Sequence, residues 1–148
     1  MVRGPSAGAD ARIAVADDVV VTAAGRALRV HRRAGDDTFA LPCDALDVVA
    51  SPGIGETHWA VLCADRIFES VGRSSTTEVP LSRQGPVAFD VDFGSFRDAV
   101  AYEDGTVALR ADDRRERVAR FDRAVLGVAL ASPDRAPRVT TDAPCASC

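Results

Sequence analysis

Hydrophobic and polar residues alternate most plainly between Pro86 and Arg110, PVAFDVDFGSFRDAVAYEDGTVALR. Val87, Phe89, Val91 and Phe93 occupy odd positions while Asp90 and Asp92 lie between them, a period of two and not 3.6. This pattern predicts a strand with one buried face. A second run, Asp98 to Glu103, meets a third, Thr106 to Arg110, across Asp104-Gly105, a dipeptide suited to a type I′ hairpin turn.

The same unit recurs along the chain. Ala45-Leu46-Asp47-Val48 matches Ala88-Phe89-Asp90-Val91 at an offset of 43, and Ala60-Val61 with Asp65 matches Ala99-Val100 with Asp104 at an offset of 39. A loop difference of four reconciles the two. Val125-Leu126-Gly127-Val128 repeats the first strand, and Ala14-Val15-Ala16-Asp17 with Val19-Val20-Val21 repeats the hairpin. Repeats near 40 residues built only from short strands predict β-propeller blades, antiparallel four-stranded sheets whose faces pack on their neighbours.

The remaining strands follow from the same rules. Residues 12–16 and 18–23 form a first hairpin, 27–33 a further strand, and Gly35-Asp36-Asp37 a break before a short piece at 38–41 that Pro42 ends. Further strands are expected at 45–50, 59–64, 67–71, 77–81, 117–121 and 124–131, with an edge strand at 138–141. No run has the 3.6 period of a helix of ten residues or more. The predicted fold is all-β and β-propeller-like, with about three blades at 11–134, a disordered segment at 1–10 and a polar, Cys-containing tail at 135–148.

On this frame the chain opens at the second strand of a blade and ends at a first strand. Strand 124–131 is then expected to complete the blade of 12–33, within one chain or across two. Because propellers generally close with four to eight blades, three blades imply a longer propeller, two copies making about six, or sheets that stack without closing. Phe89, Val91, Phe93, Leu46, Val48, Leu126 and Val128 are expected to be buried together.

Composition narrows the function classes. The formal charge of −4 and pI near 5.1 argue against nucleic-acid or anionic-membrane surfaces, which need a clustered positive field. Arg114, Arg115 and Arg117 are interleaved with Asp112, Asp113 and Glu116, the pattern of a solvated mixed-charge loop. All 18 basic residues are Arg, and Asp outnumbers Glu by 17 to 5, a bias suited to a GC-rich genome or a salt-loving host. No apolar run approaches the roughly 20 residues of a membrane helix, and no signal peptide opens the chain. A cytoplasmic protein is the expectation.

Few residues carry candidate chemistry. Cys145-Ala-Ser-Cys148 has the spacing of half a zinc site or of a redox pair. Those two residues are the metal candidates, set against a tail with incidental thiols. Cys43 and Cys63 belong to no second CxxC, and Cys63 reads as a small buried hydrophobe. His31 on a strand and His58 before Trp59 have no neighbouring nucleophile motif. Gly53-Ile-Gly55 lacks the further glycine, lysine and helix of a phosphate cradle and reads as a turn. Asp90 and Asp92 share one side of a strand, where paired carboxylates can bind a cation or transfer protons; the match of Asp90 to Asp47 points instead to architecture.

From Ala60 onward, AVLCADRIFE, EVPL, GPVAFDVDFG, AVAYEDGTVAL and VLGVALASP follow in the order seen in the C-terminal blades of an uncharacterised haloarchaeal β-propeller family, which the chain resembles over about half its length. The resemblance implies a propeller fold and a haloarchaeal host, in a family whose members carry more blades. It carries over no catalytic or binding residue. The Arg-rich stretch 114–120 and the Cys-ending tail depart from the family's pattern.

The expectation for function is a non-catalytic interaction module that presents loops to a protein partner or to another copy of itself, without a cofactor. The competing readings are a metal-binding or redox protein using Cys145 and Cys148, and a truncated propeller with no independent function.

Overall fold

In the computed structural model, residues 10–53, 56–71, 75–95, 97–111, 115–130 and 138–141 are described. Cys145, Cys148 and the N-terminal residues 1–9 lie outside them, as does most of the polar tail. The described chain is all-β, and it divides into two compact units, 1–80 and 81–148.

The first unit holds two four-stranded antiparallel meanders. Strands β1 (Arg12–Ala16), β2 (Val19–Ala24), β3 (Ala27–Arg32) and β4 (Gly35–Ala40) form sheet 1 in that order. Strands β5 (Asp47–Pro52), β6 (Thr57–Leu62), β7 (Arg66–Val71) and β8 (Ser75–Pro80) form sheet 2. The second unit holds sheet 3, made of β9 (Pro86–Asp92), β10 (Arg97–Tyr102), β11 (Thr106–Arg110) and β12 (Glu116–Arg120), together with the pair β13 (Val125–Ala129) and β14 (Arg138–Thr141).

Sheet 1 corrects the expected frame. The stretch Gly35-Asp36-Asp37, read as a break, is the start of β4, so the first blade is complete in itself. A cross-strand hydrogen bond and an ion pair offset the poor strand propensity of these residues: the His31 ring bonds Asp36, and Arg32 binds Asp37. Within the chain β13 pairs with β14, and the expected completion of the first blade by 124–131 is not needed there.

The core of the first unit lies between its sheets. Val19, Val21 and Ala23 on β2, with Leu28 and Val30 on β3, pack against Val48, Trp59, Val61, Cys63 and Phe68 of sheet 2. Trp59 is the centre of an aromatic cluster, its ring centroid 5.1 Å from Phe39 and 5.9 Å from Phe68 in tilted geometry, worth about 0.5–1.5 kcal/mol per pair beyond area burial. In the second unit Ala88, Ala101 and Val107 pack with Val125, and Phe121, Val128 and Val139 close over them.

The hairpin at Asp104-Gly105 differs from a type I′ turn. Only Gly105 takes positive φ, at 83°, whereas type I′ needs positive φ at both central residues. The loop is longer by one residue, with the Gly105 amide donating to the Tyr102 carbonyl at 3.1 Å and the Thr106 amide to Asp104 Oδ1 at 2.9 Å. A side chain at 105 would sit 2.5 Å from the Phe121 carbonyl oxygen.

Candidate interaction face

The strand registers put the three blades on a common numbering. Ala23 faces Leu28, Leu62 faces Ile67 and Ala101 faces Val107 beside equivalent turns, and all six are buried. One step back, Thr22 pairs with Ile13, Val61 with Val48 and Val100 with Phe89. Ile13, Val48 and Phe89 are therefore equivalent, and so are Val15, Ala50 and Val91. The offset from Val48 to Phe89 is 41, two less than the 43 read from the sequence, and a shift of two residues preserves the face of a strand.

This alignment also corrects the expected core. Phe89 and Val48 are buried and Val128 packs on the core of the second unit, but Leu46 and its true equivalent Val87 are both exposed, as is Leu126. Val87 sits at a register shift in β9, where Ala101 pairs with Ala88 and Tyr102 with Pro86. A second shift lies between Val125 and Gly127, which leaves Leu126 unpaired and turned outward. Val91 and Phe93 are only half-buried.

The equivalent positions differ sharply in exposure. Val48 is 4% and Phe89 3% exposed, while their equivalent Ile13 is 59% exposed; Val15 is 65% exposed where its equivalents Ala50 and Val91 are half-buried. In sheet 1 this face carries Ile13, Thr22, Arg29 and Thr38 in one cross-strand row and Val15, Val20, His31 and Asp36 in the next. Its opposite face is the one packed on sheet 2. Sheet 1 thus shows solvent an apolar strip on its first strand and polar groups further out.

The polar groups on this face are bonded to one another. Thr22 Oγ1 lies 3.1 Å from His31 Nε2, and His31 Nδ1 lies 3.0 Å from Asp36 Oδ2. A hydroxyl, an imidazole and a carboxylate in this order resemble an activated nucleophile, and the hairpin pairing of β2, β3 and β4 brings them together at spacings of 9 and 5 residues that match no nucleophile motif. The other blades argue for architecture. In the same row of sheet 2 the Trp59 amide donates to Ser70 Oγ at 2.9 Å, and in sheet 3 Arg110 Nε donates to Asp98 at 2.9 Å. Each blade joins its middle strands by a polar pair at this level.

The remaining sequence candidates separate in space and role. Asp90 accepts from the amides of Val91 at 2.9 Å and Leu130 at 2.7 Å, tying β9 to the end of β13. Asp92 accepts from the amides of Gly94 and Ser95, the Ser95 hydroxyl and Arg97, and these bonds hold its carboxyl below the ordinary carboxylate range. Asp47 caps the amide of Val48, but by register it is equivalent to Ala88 and not to Asp90. The His58 ring lies over Gly53, which leaves no room there for a side chain. Among the described residues no group of three or more His, Cys, Asp or Glu side chains is placed to hold a metal.

Cys43 and Cys63, which belong to no CxxC, form a disulfide, and Cys63 is buried as expected. The signal was available only as two cysteines 20 residues apart on either side of a strand pair, a spacing that many unbonded pairs share.

No protein-family model matches the chain, and no curated protein matches it either. Solved structures do. A crystal structure of BBS1N in complex with ARL6DN is similar over 83% of this chain and 42% of that one, with a TM-score of 0.66 and 14% identity. The structure of apo AztD from Citrobacter koseri is similar over 87% of this chain and 40% of that one, with a TM-score of 0.54 and 20% identity. This chain spans about two fifths of the length of these structures. The haloarchaeal resemblance finds no family match, and the likeness that stands is one of fold: all-β and propeller-like, with three four-stranded sheets and a two-stranded pair among the described residues.

Proposed function

We propose that this chain is a propeller-type interaction module that holds a protein partner on the exposed face of sheet 1. One observation carries the reading: Ile13 is exposed in sheet 1 where its equivalents Val48 and Phe89 are buried, and Val15 beside it is exposed where its equivalents Ala50 and Val91 are half-buried. A repeat that uses the same positions for packing in its other copies is shaped for packing here as well. The polar rim of Thr22, Arg29, His31 and Asp36 beside the apolar strip supplies the mixed character of an interface that forms and dissociates. By analogy, the similar BBS1N was solved with ARL6DN bound.

A photo-crosslinking residue at Thr22 or Thr38, both on this face, tests the reading in cells. Each is expected to give a discrete protein adduct, and the same residue at exposed Arg83 is expected to give none. Adducts from Arg83 with none from Thr22 or Thr38 would overturn it.

A further inference from the structure

Taking that face as the binding site, we infer that its partner is a second copy of this chain, which contributes the outer side of its β13–β14 sheet. The occupant that fits the Ile13 and Val15 strip is another β-sheet. A sheet covers the equivalent residue Val48 in the first unit, where sheets 1 and 2 pack face to face. The chain itself displays such a sheet. Val125, Val128 and Val139 pack one side of β13–β14 onto sheet 3, while the irregularity between Val125 and Gly127 turns Leu126 to the other side, 64% exposed. Each copy therefore carries both halves of a sheet-to-sheet contact: an exposed apolar strip on β1 and an exposed leucine on β13.

Size sets the strength of the contact. A two-stranded sheet covers at most a few hundred Å², well below the roughly 800 Å² per partner of a standard interface, so the association is weak and appears at high concentration. Its symmetry is equally specific. The two faces are different, so the contact is head-to-tail and each added copy brings a fresh face.

Sedimentation equilibrium of the intact chain from about 20 µM to about 1 mM tests the inference. The average mass is expected to rise with concentration past that of one chain. Val15→Asp and Leu126→Asp lie on exposed side chains, so their folds are checked by unchanged thermal unfolding; each variant alone is expected to stay at the mass of one chain. Mixed in equal amounts they are expected to associate again and to stop at two chains, because the mixture retains one working face of each kind.

A wild-type mass fixed at one chain up to about 1 mM, or a mixture that stays at one chain, would overturn the inference. A monomer that begins to associate only when residues 1–9 are deleted would assign the face to the chain's own N-terminal segment and would also overturn it. If crosslinks from Thr22 contain a different protein, self-association fails while the interaction reading stands; if neither Thr22 nor Thr38 gives an adduct, the reading itself fails.

Discussion

Cys43 and Cys63 are bonded to each other with their Cα atoms 6.0 Å apart, so the connection leading out of sheet 1 is tied to the end of β6 in sheet 2. That separation lies within the usual range for a disulfide. Closing a loop of this length restricts the unfolded chain by about 3 kcal/mol in the chain-entropy account. The Cys43→Ala, Cys63→Ala double variant is expected to lose about that much in urea unfolding, with the wild type in reductant losing a similar amount. A loss below about 1 kcal/mol in both would show that the bond contributes little. Such bonds persist in oxidising surroundings, so the oxidation state of this pair in intact cells also bears on the cytoplasmic expectation.

Phe89 and Leu126 were expected to share one core, and the structure separates them. Phe89→Ala should destabilise the chain by about 3–5 kcal/mol, the range for emptying a packed aromatic site. Leu126→Ala should change stability by less than about 0.5 kcal/mol, because its side chain leaves water in neither state. Comparable losses from both variants would contradict the outward turn of Leu126.

Ser70 is buried, and its hydroxyl accepts from the Trp59 amide at 2.9 Å and donates to the Trp59 carbonyl at 3.2 Å. The side chain thus extends the β6–β7 pairing beyond Ala60 and Glu69, the last residues paired through the backbone. Ser70→Ala leaves a buried amide and carbonyl without this partner, at a cost of about 1–3 kcal/mol. Hydrogen exchange at the Trp59 amide is expected to accelerate more than exchange at Val61. Equal protection in variant and wild type would show that another group satisfies Trp59.

Acid titration should show two carboxylates acting in opposite directions. Burial raises the Asp98 carboxyl above its ordinary range, and Arg110 offsets part of that effect. The folded state therefore holds this proton more tightly than the unfolded chain does, and ionised Asp98 lowers stability as pH rises from about 4 through the raised value. Asp92, lowered chiefly by the Ser95 hydroxyl and also by Arg97, contributes stability above about pH 4 that is lost as pH falls through its lowered value. Relative to wild type, Asp98→Asn should gain stability as pH rises across its window, and Asp92→Asn should show its largest deficit near neutrality. Parallel pH profiles for the wild type and both variants would refute these assignments.

The alternation of Val87, Phe89, Val91 and Phe93 with aspartates, and its recurrence near every 40 residues, was enough to determine an all-β chain of repeated meanders. Period two is a local property of a strand, and the repeat is visible without knowing what packs where. The edge strand at 138–141 was legible in the same way. Local signals also set the limits. The residues Gly35-Asp36-Asp37 have low strand propensity by themselves, and only their pairing with His31 and Arg32 across β3 makes β4. Strand register followed the same rule. The sequence match of Asp47 to Asp90 lies two residues from the paired register, and a shift of two preserves the face and so leaves the hydrophobic pattern unchanged.

What surrounds each face was beyond the reach of pattern. Ile13, Val48 and Phe89 are all apolar residues on first strands, and nothing in their local sequence distinguishes the one that is exposed from the two that are buried. Leu126 and Val87 point outward because an irregular residue in the ladder re-aims the chain, which the order of residue types does not encode. The Thr22–His31–Asp36 chain joins residues from three strands, and the Cys43–Cys63 bond joins the β4–β5 connection to the turn after β6. Their chemistry was readable residue by residue, but burial and bonding distance are properties of neighbours, and neighbours across a sheet exist only once the tertiary structure has formed.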